Sequence, residues 1–150
     1  LLECFVMSFA AARDIKNRID EIPISGALMP WDDSRVRYPD DETLVAHNWE
    51  ELRRCMWNFV GIVRNNERLK RAKRRITLIQ GEIQEHYEKH RVTNDLLELR
   101  NLILVSSLII DSALSRKESR GLHYNLDYPK ILDGAENTIL TPTKSFREDS

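Results

Sequence analysis

The sequence predicts an all-α protein: an antiparallel three-helix bundle, an N-terminal helix joined to it by a long strap, and an irregular C-terminal tail. Three observations predict it. Apolar residues recur at helical spacing through four separate stretches. Only short polar breaks separate the last three stretches, which makes those helices antiparallel neighbours. The composition is that of a helical, water-soluble domain: 41% hydrophobic and 31% charged residues, with 5 Gly and 5 Pro in 150 positions. A chain of this length can bury one real core.

Leu2, Phe5, Phe9, Ala12, Ile15 and Ile19 follow helical spacing, so the first helix runs from the start to about Ile22, where Pro23 ends it. The opening run, 1–12, has no basic leader and is interrupted by Glu3. It reads as a helix whose sequence was cut in front, not as a secretion signal. Residues 23–41, with Gly26, Pro30 and Pro39, form a linker strap with Leu28, Met29 and Trp31 as its buried anchors. Asp40 or Asp41 caps the second helix, which carries Val45, Trp49, Leu52, Met56, Phe59, Val60 and Val63 and ends near Arg64. Asn65-Asn66 makes a short break, and Glu67 suits the first turn of the third helix. That helix carries Leu69, Ala72, Ile76, Ile79, Ile83 and Tyr87. Thr93 or Asn94 caps the fourth. Leu96, Leu99, Leu102, Ile103, Leu104, Val105, Leu108, Ile109 and Ile110 cover more than one face of it, which places it at the centre. Arg120 falls in its last turn, and Gly121 supplies the positive φ of a helix stop. The bundle is thus 42–121, and residues 122–150 are an irregular tail.

The formal net charge of −1 gives no global pull toward nucleic acid or an anionic membrane. No segment reaches the roughly 18 apolar residues of a membrane span. Cys4 and Cys55 read as two small buried thiols of a reducing cytoplasm. Six cations in residues 68–75 (Arg68, Lys70, Arg71, Lys73, Arg74 and Arg75) suit either a phosphate-binding face or a solvated, ion-paired one. Without interleaved aromatic residues, the second reading, or contact with another domain, is preferred over nucleic acid. His86 and His90 share a helix face at a zinc-binding spacing. No further ligand run accompanies them, so they read as an exposed polar face and no metal site is expected. The five glycines are scattered and form no phosphate-cradling loop. His123, Tyr124, Asp127 and Tyr128 crowd one loop after Gly121. Taken alone they are an acid-base cluster without a second wall, so no catalytic residue is assigned.

KESRGLHYNLDYP, residues 117–129, resembles the signature of the C-terminal helical domain in the succinate dehydrogenase, fumarate reductase and L-aspartate oxidase flavoproteins. The dehydrogenases and reductases read Ser-Arg-Gly-Ala-His, then Arg, then Asp-Tyr-Pro. Here Leu122 replaces that Ala and the Arg is lacking, which resembles the L-aspartate oxidase branch. LRRCMWNFVGIVRNNERLKRA (52–72), RVTNDLLELRNLILV (91–105), LLECFVMSFAAARDI (1–15) and LMPWDDSRV (28–36) resemble further stretches of that branch, in the same order.

The resemblance implies that residues 1–22 are a remnant helix from the end of a flavin-binding domain. It implies a parent enzyme that binds FAD and oxidises L-aspartate to iminoaspartate in NAD synthesis, with quinolinate synthase as a pathway partner and a cytoplasmic location. The flavin-binding and capping domains of the same chain become the expected partners. The fragment itself is expected to be structural and to hold no cofactor. One flavin contact is implied at Leu1, and interdomain contacts at Arg120, His123 and Tyr124. Phe5 and Phe9, deprived of a neighbouring domain, favour self-association.

Overall fold

The computed structural model describes residues 2–21, 23, 26, 27, 29, 30, 32, 34, 36 and 41–141. Leu1, the anchors Leu28 and Trp31, and the cap candidate Asp40 lie outside them. The chain divides into two compact units, residues 1–32 and 33–150.

The first unit contains α1 (Leu2–Arg18). It ends four residues short of the expected Ile22. The Ile19 amide still reaches the Ile15 carbonyl at 2.8 Å, but Glu21 bonds the Arg18 carbonyl at 2.9 Å, a tighter closure that ends the α geometry. No residue of α1 is buried. Cys4 is therefore exposed, not the buried thiol expected, whereas Cys55 is buried. Met29 is 90% exposed and does not anchor the strap.

The second unit holds α2 (Glu42–Phe59), β1 (Val63–Arg64), α3 (Asn66–Lys89), α4 (Asn94–Ser115) and β2 (Tyr124–Asn125). Short polar side chains start each helix by accepting from a first-turn amide. Asp41 accepts from Leu44 at 3.2 Å, Asn65 from Arg68 at 2.8 Å and Thr93 from Leu96 at 3.3 Å. The stripe Leu69, Ala72, Ile76, Ile79 and Ile83 of α3 is buried. It meets Leu96, Leu99, Ile103, Ile110 and Ala113 of α4, and Val45, Leu52 and Cys55 of α2.

The three helices pack on one another, and α3 makes the most extensive contacts, with α4 and then with α2. The expectation that α4 is central is corrected: Leu104, Val105, Leu108 and Ile109 on its far side are 41–55% exposed. Three helices cover only part of one another's circumference, so an all-round apolar helix keeps one bare face.

Two boundaries also differ. α2 stops at Phe59, not near Arg64, because Val63 and Arg64 leave the helix to pair with β2 in parallel, Val63 opposite Tyr124 and Arg64 opposite Asn125. Val63 is accordingly 48% exposed, not part of the core stripe. α4 stops at Ser115, so neither Arg120 nor Gly121 ends it. Gly121 does adopt φ +60°, but within the turn between Arg120 and His123, whose backbones exchange bonds of 3.0 and 3.1 Å. A two-residue hairpin turn with glycine at its first central position needs that φ.

Candidate functional site

The densest polar constellation lies between α4, β1 and the N-terminus of α3, where residues 116–138 fold back on themselves. It begins one residue past α4. The Glu118 carboxylate is buried, 4% exposed, yet charged groups surround it. Arg116 donates to it at 2.7 Å, Arg120 at 3.0 Å and the Leu132 amide at 3.0 Å. Arg120 also donates to the Leu132 carbonyl at 2.7 Å, and Arg116 to the Glu136 carbonyl at 2.8 Å. One carboxylate thus ties the chain leaving α4 to the chain fourteen residues later.

The Leu132 amide pulls the Glu118 carboxyl below its ordinary 4.5; burial opposes this, and Arg120 and Arg116 add to it. A carboxyl depressed on folding stabilises above its unfolded value and loses that contribution as pH falls through the folded one. We therefore expect acidification from neutral to below 4.5 to release residues 116–138. Glu118→Gln should make the same segment protease-sensitive already at neutral pH, as limited proteolysis with mass mapping would show.

A second knot joins the segment to α3. The Asp127 carboxylate accepts from the Asn66 amide at 2.7 Å, satisfying a first-turn donor that α3 cannot satisfy itself. Asn125 is fully buried. Its side chain donates to Asn66 at 3.2 Å and accepts from the Asp127 amide at 3.0 Å. The Ser119 hydroxyl accepts from the Asn125 amide at 2.9 Å, and its proton goes to the Tyr128 carbonyl at 2.8 Å. Asn66 also donates to the Tyr128 hydroxyl at 3.3 Å.

His123 completes the site. Its Nδ1 lies 3.1 Å from the Arg64 guanidinium, which itself donates to the Gly61 carbonyl at 2.9 Å. Guanidinium only donates, so Nδ1 accepts and the ring proton sits on Nε2.

Several apolar side chains of this region are exposed beside the site. Leu122 is 96% exposed, Leu126 51%, Tyr124 41% and Val63 48%; Trp57 and Ile62 nearby in sequence exceed 80%. Residues 122–127 alternate strictly, with Leu122, Tyr124 and Leu126 on one side and His123, Asn125 and Asp127 on the other. The polar side bonds Arg64 and Asn66, with Asp127 still exposed at its end, and the apolar side faces out. That is the reverse of what a free surface strand shows.

Of the residues singled out from sequence, the structure brings Arg120, His123 and Tyr124 into this one region. Arg120 is half-buried and occupied by Glu118, His123 is occupied by Arg64, and the Tyr124 side chain is exposed. Sequence reasoning missed Arg64, Asn66, Glu118 and Asn125. The period-2 alternation of 122–127 was the one legible signal. The basic run of α3 is partly consumed by neighbours: Lys73 pairs with Asp111, Arg75 with Glu51 and Arg71 with Glu67. His86 is buried, not exposed as expected: it continues the buried stripe of α3 three residues past Ile83, and its ring stacks on His90 at a 3.7 Å centroid distance. Among the described residues, no group of three or more His, Cys, Asp or Glu is placed to hold a metal ion, and no helix is long and apolar enough to cross a membrane.

Residues 49–149 match the family described as fumarate reductase flavoprotein C-term. Along 95% of its length the chain is 54% identical to an L-aspartate oxidase of Pseudomonas aeruginosa, of which it covers 26%. It is equally identical to L-aspartate oxidase 1 of Ralstonia nicotianae, of which it covers 27%. A chloroplastic L-aspartate oxidase 2-a of Nicotiana tabacum is 40% identical over 63% of the chain and 16% of that protein. The chain spans about a quarter of the length of the bacterial relatives.

Proposed function

Since the chain belongs to the family of fumarate reductase flavoprotein C-terminal domains, we propose that it is the C-terminal helical domain of an L-aspartate oxidase. Its role in that enzyme is structural: it packs against the flavin-binding and capping domains. FAD and the chemistry, hydride transfer from the L-aspartate Cα to the flavin, belong to those domains. The observation that carries the reading is identity of about one half along nearly the whole chain to proteins of that name, each about four times as long.

The inverted strand face supports a docking role. Tyr124 is the proposed contact side chain, with Leu122 and Leu126 beside it. Arg120 and His123 reach the interface by fixing its backbone. Leu1 is the proposed flavin neighbour in the longer chain.

The purified chain is expected to be colourless and to show no aspartate-dependent reduction of an electron acceptor. A longer polypeptide that contains it should carry flavin absorbance and oxidise L-aspartate. Flavin co-purifying with the chain alone would overturn the structural role. Oxidation of succinate in place of L-aspartate would move the domain to the dehydrogenase and reductase branch.

A further inference from the structure

We propose that His123 is a proton-operated latch: neutral, it holds residues 120–126 on β1; protonated, it lets them go. The geometry rests on Arg64. A guanidinium stays charged at any pH the fold survives and offers no lone pair, so its 3.1 Å contact with Nδ1 exists only while Nδ1 is unprotonated. Protonation removes the acceptor and sets two cations against each other.

The charged groups facing the ring are Arg64 on β1, and Arg116 and Glu118 on the chain after α4. Two of the three are cations, and the Glu118 carboxylate is already engaged by Arg116 and Arg120. Nε2 is buried without a well-formed hydrogen bond among the described residues, and the Arg116 backbone is a weak partner for the ring. Burial first, then Arg64 and the Arg116 charge, depress its proton affinity below the ordinary 6.5, against smaller pulls from the Arg116 backbone and from Glu118.

The consequence for the backbone is direct. His123 closes the turn with Arg120, and the next strand bond, from the Leu126 amide at 2.8 Å, is accepted by the carbonyl of Arg64, the residue that the ring engages. The sign follows from linkage. A histidine depressed on folding contributes stability that is complete above its unfolded value and is lost as pH falls through the folded one. The latch therefore opens on acidification below about 6.5, a window above that of the Glu118 knot. It is a property of the local geometry and holds whichever longer polypeptide carries the domain.

The test is amide exchange of Leu126 in the full chain at several pH values, each rate divided by its intrinsic rate, alongside NMR titration of the His123 ring. Protection should fall about threefold or more from neutral to mildly acid pH in the wild type. It should stay level in His123→Asn, whose carbonyl oxygen replaces Nδ1 as an acceptor without titrating. Level protection in the wild type would overturn the latch. An equal fall in both proteins would assign the effect to His47, His86 or His90 and overturn it as well. If the variant does not fold, the ring titration decides: a midpoint at or above 6.5, or a neutral ring protonated on Nδ1, refutes it.

Discussion

Leu99→Ala is expected to lower the unfolding free energy by about 2–5 kcal/mol, the range of a buried leucine truncated in a core that collapses only partly. Leu99 is fully buried where α4 faces the α3 stripe. That seam is the most extensive contact of the fold. Leu104, five residues on and 55% exposed, is the internal control. Leu104→Ala should stay within about 0.5 kcal/mol. Urea denaturation of the two variants measures the contrast, and equal losses would refute the assignment of faces.

Asn125→Leu should cost about 1–3 kcal/mol although the two side chains are similar in size. The substitution brings no void. It leaves the Asp127 amide without its acceptor and Asn66 Oδ1 without its donor, both near the N-terminus of α3. Loss should therefore appear as early local opening of residues 119–128 as well as in the global melt. Hydrogen exchange would register it at the Asn66 amide, whose Asp127 partner depends on this turn. A leucine variant as stable as the parent would mean that the buried asparagine is replaceable packing.

Much of the bundle was legible because its information is local. The α3 stripe from Leu69 to Ile83 recurs at three and four residues, and every member is buried. Asp41 and Thr93, each one of two candidates, cap because their oxygens reach amides three residues on, and Asn65, read only as a break, does the same. Asp127-Tyr128-Pro129 reads as a turn that pins the tail, and Asp127 and Tyr128 do reach α3 through Asn66. Where local pattern and tertiary partner compete, pattern fails. Val60 and Val63 continue the α2 stripe in sequence, yet the chain leaves the helix there to meet β2. Gly121 follows a helix in every local respect, but α4 has stopped six residues earlier.

The sequence by itself determined which segments are helices, about where they begin, which stripe of α3 is buried, and the family the motifs resemble. Each of these is set by contacts within about four residues or by the order of residues alone. Only the tertiary structure decided that α4 keeps one face bare, that Glu118 and Asn125 are buried polar hubs, and that Arg64 meets His123. Their partners lie up to 59 residues away, and a buried polar side chain is tolerated only where those distant donors and acceptors converge. No periodicity records such convergence.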